Sequence, residues 1–186
     1  MKLFIKNMVS IRCTMIVKSV LENLGLHYNY VRLGEAEIRE NLTEDKLCEL
    51  KTALLKYEFE LLEDRKTILV EKVRNIVIEM IHFSDVQPNV KFSIYLSDKL
   101  NYDYTYLSNL FSQVNGTTIE NFVISHKIER AKEMLVYNEF TLAEISRKLH
   151  YSSVPYLSNQ FKKITGLSPS YFKKMKHKRL LALDSL

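Results

Sequence analysis

Two eleven-residue segments of this chain are near copies: YLSNLFSQVNG from Tyr106 to Gly116 and YLSNQFKKITG from Tyr156 to Gly166. Such a repeat constrains a fold more than composition does, because each copy asks for the same packing environment. Tyr106, Leu107, Ser108, Asn109, Phe111, Gly116 and Phe122 recur as Tyr156, Leu157, Ser158, Asn159, Phe161, Gly166 and Phe172. Upstream the likeness continues with a one-residue shift, LSDKLNY (96–102) against ISRKLHY (145–151). Each unit reads as a helix, a tight turn and a second helix. Two units are too few for a solenoid, so the pair is a duplicated working module.

The second helix of each unit has two faces. Leu107, Leu110, Phe111 and Val114 sit at i, i+3, i+4 and i+7 and are expected to be buried, as are Leu157, Phe161 and Ile164 in the second copy. Thr105, Ser108, Asn109 and Ser112 have the same spacing rotated toward solvent; their counterparts are Pro155, Ser158, Asn159 and Lys162, with Lys163 beside them. A stripe of small polar residues suits a helix entering the DNA major groove, about 12 Å wide. Asn can bond adenine through two hydrogen bonds, and Ser or Thr can bond bases or phosphates. Tyr104 and Val154, near the helix starts, are placed to touch a thymine methyl. A single polar stripe is usually just a solvated face; the same Ser-Asn pair in both copies favours groove contact. The candidate DNA-binding residues are therefore Tyr104, Thr105, Ser108, Asn109, Ser112, Val154, Pro155, Ser158, Asn159, Lys162 and Lys163.

Net charge supports a polyanion partner once it is divided along the chain. Residues 1–66 hold 11 Lys and Arg against 11 Asp and Glu, and residues 67–140 hold 7 against 9. Residues 141–186 hold 9 against 2, a net +7, so the chain's excess of +5 is concentrated in its C-terminal quarter. A basic tail that only keeps the protein soluble would give the same count. No apolar run approaches the roughly 18 residues of a membrane span, and MKLFIKNM is too short and polar for a secretory signal. Two cysteines, Cys13 and Cys48, make no disulfide framework and point to a reducing cytoplasm. Five scattered histidines pair with no carboxylate or cysteine at a recognisable spacing, and no phosphate loop or nucleophile motif is present. An enzyme and a bound cofactor are not expected.

The first 66 residues alternate between strand and helix patterns. KLFIKNM places Leu3 and Ile5 on one face and Phe4, Lys6 and Met8 on the other. A helix from Cys13 to Leu24 ends at Gly25, two strands turn at Gly34, a helix follows Thr43, and FELLED closes as a last strand. Leu47, Leu50, Leu54 and Leu55 are its expected inner face. The order βαββαβ predicts an α+β, ferredoxin-like domain over 1–66, with the charged stretch Glu63 to Lys66 as its boundary. Residues 67–186 read as an all-α domain: helices over 67–82 and 92–100 separated by SDVQPN, then the duplicated units joined by a long helix from about Thr118 to Val136. Thr117 with Glu120 and Thr141 with Glu144 fit capping boxes, and Ser168-Pro169 starts a last helix. The connecting helix spans about 28 Å, compatible with the roughly 34 Å between successive major-groove faces. One chain can then read both without dimerising.

Residues 67–177 resemble the AraC/XylS-type bacterial transcription regulators, most specifically through LAEISRKLHYSSVPYLSNQFKKITGLSPSYFKK with Phe161-Lys162-Lys163, Gly166, Pro169 and Phe172. The resemblance implies sequence-specific binding of double-stranded promoter DNA through helices at 103–114 and 153–164. Ser146 stands where the family usually has alanine, His150 where it has glycine, and Lys173 where it has arginine.

Residues 1–64 resemble the heavy-metal-associated domain, which carries Cu(I) on a Met-x-Cys-x-x-Cys loop. Here the loop is MVSIRC: Met8 and Cys13 are present, but Ser10 replaces the first cysteine. A soft cation wants two thiolates, and Arg12 adds unfavourable charge, so the loop is degenerate and no metal is expected. A fold kept for homodimerisation or partner contact, or a redox-active Cys13, are the other readings. Taken together the sequence predicts a DNA-binding regulator with an effector still to be identified. The alternative is a metal-handling or protein-interaction module whose helical half binds protein.

Overall fold

The computed structural model describes residues 1–84, 90–137 and 140–175. The SDVQPN break, except Ser84, and the tail beyond 175 lie outside them. By packing, the chain forms two compact units. The first comprises residues 1–78 with 90–116. The second comprises, among the described residues, 79–84 with 117–137 and 140–175.

In the first unit, β1 (Lys2–Lys6), β2 (Tyr28–Arg32), β3 (Glu35–Ile38) and β4 (Glu60–Leu62) form one sheet in the order β2-β3-β1-β4, every neighbouring pair antiparallel. Helices α1 (Ile11–Asn23) and α2 (Glu44–Leu55) supply Val17, Val20, Leu21, Leu50 and Leu54 to a core shared with Leu3, Ile5, Ala36 and Ile38. The inward alternation of Leu3 and Ile5 agrees with the sequence. Met8 departs from it: Asn7 is left-handed at φ 71, its side-chain amide donates to the Glu58 carbonyl at 3.0 Å, and the reversal turns Met8 into the core, fully buried. Asn is among the few non-glycine residues that accept this conformation readily. Leu55 also departs, being exposed, because it lies about 100° round the helix from buried Leu54. Thr43 caps α2 as expected, accepting from the Lys46 N–H.

Helix α3 (Arg65–Ile78) is started by Asp64, which accepts from the Thr67 N–H at 2.8 Å, and it lies against the other face of the sheet. The Lys72 ammonium sits 4.6 Å from the Phe4 ring centre, and Asn75 packs on Gly34 in the β2–β3 turn. Gly34 has φ 71, and a Cβ there would stand 1.8 Å from Asn75 Nδ2. Gly34→Ala is therefore expected to destabilise the unit by roughly 1–3 kcal/mol, from left-handed strain plus displacement of Asn75. Urea unfolding of the two proteins checks this; an unchanged midpoint would show that the turn relaxes freely. Helices α4 (Phe92–Leu100) and α5 (Tyr104–Asn115) complete the unit, with α5 packed on α3.

The second unit begins with a π-helical turn, Glu79–Phe83. Its scaffold is α6 (Ile119–Tyr137), whose Ile128, Ala131 and Leu135 bury Ile145 and Leu149 around α7 (Leu142–Lys148) and Leu157 and Phe161 from α8 (Val154–Thr165). Phe172, in a last helical stretch at 169–175, meets Phe161 edge-on at 5.4 Å. The Thr141–Glu144 capping box is present. At the start of α6 the cap is Thr118, which accepts from the Asn121 N–H at 3.1 Å, and not Thr117 with Glu120. Thr118 thereby matches Ser168, which accepts from the Tyr171 N–H at 3.3 Å, so the repeat extends through the caps.

Candidate nucleic-acid interface

Helices α5 and α8 are built alike. Asp103 caps α5, accepting from the N–H groups of Thr105 and Tyr106, and Ser153 caps α8, accepting from the Tyr156 N–H with Pro155 in the first turn. Both helices stop at a left-handed glycine, Gly116 at φ 67 and Gly166 at φ 75. The turns before them also match: Asn101 and His150 are both left-handed, at φ 57 and φ 53. His150 therefore does occupy the strained position where glycine would be relaxed. The tyrosines that follow each turn lean on the repeat's leading tyrosine, Tyr102 on Tyr106 at 5.6 Å and Tyr151 on Tyr156 at 5.8 Å.

The candidate stripe is exposed or half-buried throughout. On α5, Thr105 and Asn109 are exposed, while Tyr104, Ser108 and Ser112 are half-buried. On α8, Pro155, Asn159, Lys162 and Lys163 are exposed, while Val154 and Ser158 are half-buried. Within each helix the candidates thus share one accessible side, backed by Leu107, Leu110 and Phe111 or by Leu157 and Phe161. Val114 and Ile164 correct the sequence expectation: they are 47% and 43% exposed. Both occupy the final helical turn, and in α8 the buried anchors end at Phe161. The two tyrosines that lead the repeat, Tyr106 and Tyr156, fall outside the Ser-Asn stripe, yet both are exposed large side chains on these helices. Tyr156 is further held by Gln160, whose Nε2 donates to its hydroxyl at 3.4 Å. Their presence at the same place in each copy was the signal available.

Charge divides the helices. α5 contains no Lys or Arg, while α8 ends with Lys162 and Lys163. Nearby in the second unit, the Lys127 ammonium lies 5.3 Å from the Tyr151 ring, and burial pulls its pKa down. Burial and the neighbouring Tyr156 push Tyr151 up to about 12. Tyr151 therefore stays a neutral phenol near neutral pH.

The caps carry a pH dependence. Backbone N–H groups hold the carboxyls of Asp64 (Thr67), Asp103 (Tyr106) and Glu144 (Thr141) below the ordinary range. A depressed folded pKa contributes stability that is full above the unfolded value, near 4, and is lost as pH falls through the folded value. The urea midpoint is expected to hold above about pH 5 and to fall below about pH 4. Asp103→Asn keeps a good cap without a titrating group, so its decline is expected to be shallower; identical acid profiles would contradict this role.

At the degenerate loop, Ser10 is the residue before α1, and its Oγ is spent on Cys13 Sγ at 3.3 Å instead of on a backbone N–H. Burial would raise the Cys13 thiol, but hydrogen bonds from Ser10 and from backbone groups at 9, 10 and 13 outweigh it and hold the pKa below the ordinary thiol value. Ser10 is the side chain acting on it. Met8 is closed off in the core, and Cys48 is exposed on α2. Among the described residues no three or more His, Cys, Asp or Glu gather in a way that could hold a metal.

Comparison with known proteins gives this arrangement a family context. Residues 96–175 match a family model described as a helix-turn-helix domain. Over 149 residues the chain is 26% identical to an uncharacterized HTH-type transcriptional regulator, YtdP, of Bacillus subtilis, covering 75% of this chain and 19% of that protein. Over 89 residues it is 33% identical to the uncharacterized transcriptional regulatory protein YesN of the same organism, covering 47% of this chain and 24% of that one. The chain thus spans about a fifth to a quarter of the length of these relatives. Among solved structures, the C-terminal domain of AraT, a response regulator from Geobacillus stearothermophilus, superposes with a TM-score of 0.51 at 27% identity, covering 60% of this chain and 88% of that one. ToxT from Vibrio cholerae superposes with a TM-score of 0.52 over 89% of this chain and 68% of that one; at 18% identity this is a likeness of fold. Residues 96–175 of this chain thus resemble a helix-turn-helix domain in sequence, in keeping with the paired units seen in the fold.

Proposed function

We propose that the chain is an AraC-type transcription regulator that binds double-stranded DNA sequence-specifically, with α5 and α8 reading two successive major-groove segments. The observation that carries this is the repetition of one complete device: a capped helix, a buried apolar stripe, a half-buried Ser beside an exposed Asn and a left-handed glycine stop. In this reading Asn109 and Asn159 face base edges, Ser108, Ser112, Ser158 and Thr105 face bases or phosphates, and Lys162 and Lys163 neutralise phosphates. Tyr104, Val154 and Pro155 supply apolar contact at the helix starts. The family context points to a regulator and not to an enzyme.

The N-terminal sheet is read as a ferredoxin-like, heavy-metal-associated-like domain that has lost its cargo site. Its strand order and all-antiparallel pairing support the first part, and the Ser10 substitution supports the second. By role, residues 1–66 are the input or dimerisation module and 67–186 the DNA-binding module, acting in the cytoplasm. Among the described residues no helix is long and apolar enough to cross a membrane.

Asn159→Ala is the sharpest test of base reading. Losing a bidentate adenine contact is expected to cost about 1–3 kcal/mol on the preferred duplex and little on random DNA. Competition titrations with both duplexes decide it. Equal loss on the two would place Asn159 on the backbone or outside the interface.

A further inference from the structure

Within the first unit a polar bridge built around buried Glu71 joins the degenerate loop to the end of α5. The Asn7 N–H donates to Glu71 Oε1 at 3.3 Å, at the point where the left-handed Asn7 ends β1 and leads into the Met8–Cys13 loop. The other oxygen, Glu71 Oε2, lies 3.3 Å from Arg74 Nε. Arg74 Nη1 then donates to Asn115 Oδ1 at 3.1 Å, and Asn115 is the last residue of α5, next to its glycine stop. Glu71 is only 6% exposed; one oxygen accepts from the Asn7 N–H and the other is ion-paired with the Arg74 guanidinium. Burial pushes its carboxyl up, while Arg74 and the Asn7 N–H act against that.

This bridge does what a hydrophobic contact cannot. Apolar packing of α5 on α3 sets the separation of the helices, and the directional Arg74–Asn115 hydrogen bond, with Arg74 anchored by its ion pair to buried Glu71, adds a constraint at the end of α5. Rotation of α5 about its axis would carry Ser108 and Asn109 with it. We propose that Glu71 and Arg74 are positioning residues that set the rotation of α5, making the Asn7–Cys13 loop the place from which reading by the first helix is altered. The proposal deepens the DNA-binding reading and rests on it for its effect on specificity, though the bridge itself can be tested without DNA.

The test uses the full chain as wild type, Glu71→Gln, Arg74→Met and the charge-keeping Arg74→Lys. Hydrogen exchange is followed in segments 7–13, 104–115 and 142–165. Glu71→Gln and Arg74→Met are expected to speed exchange together in 7–13 and 104–115 and to leave 142–165 unchanged, with Arg74→Lys in between. On a duplex preferred by the wild type, Arg74→Met is expected to lose about tenfold in discrimination at the bases read by α5 and to keep discrimination at those read by α8. Exchange that rises in only one of the two segments, or equally in all three, overturns the proposal, as does equal loss of discrimination at both groups of bases. If the wild type discriminates among no duplexes, the DNA-reading premise fails, and with it the specificity role; the exchange pattern still reports the bridge separately.

Discussion

Phe161→Ala is expected to cost about 3–5 kcal/mol of stability, the range for removing a buried aromatic side chain. Phe161 is fully buried, lies among Ile128, Ala131, Leu135 and Ile145, and meets Phe172 edge-on. It is one of only two fully buried large side chains that α8 contributes, Leu157 being the other, so the loss falls on the element that carries the candidate interface. Its repeat partner Phe111, also fully buried, holds α5 in the first unit and is expected to cost as much. The chain has no tryptophan, so unfolding is followed by circular dichroism in urea. A loss under about 1 kcal/mol would mean that α8 is held mainly by contacts other than this core.

The second large effect is electrostatic. Lys162→Ala combined with Lys163→Ala removes both cations of α8, and α5 has none to compensate. If each neutralises one phosphate, the slope of log affinity against log salt is expected to shrink by about 2. Affinity at low salt should fall similarly on preferred and random DNA, because phosphate contacts carry no sequence information. A slope unchanged by the double substitution would show that these lysines face away from the backbone. Together with Asn159→Ala this separates the two kinds of contact within one helix, since one change alters discrimination and the other alters salt dependence.

Much of this was legible because it is local. The strand alternation of Leu3 and Ile5, the Thr43 and Thr141 caps and the Ser-Asn stripe each follow from rules acting over a few residues. The misreadings come from places where backbone or tertiary geometry overrides the pattern. Two-residue alternation points Met8 outward, but the left-handed backbone of Asn7 resets the phase and turns it inward. Val114 and Ile164 satisfy helical periodicity, but periodicity does not say where the neighbouring core ends. At the start of α6 the capping-box pattern points to Thr117, whereas the alignment of the repeat with Ser168 points to Thr118, the cap that forms. The bridge through Glu71 and Arg74 had no sequence signature: it needs contacts across 64 and 41 residues of chain. Glu71 and Arg74 read simply as two charges on a helix.

The central claim is that the duplicated helices read DNA, and selection of bound duplexes from a random pool tests it most directly. Binding of the full chain would be repeated at low and moderate salt. The account predicts a recovered motif with two information-rich blocks about one helical turn apart, whose preference over random DNA survives moderate salt. Recovery of no motif, with weak binding that disappears as salt is raised, would contradict it and leave only the basic C-terminal charge at work.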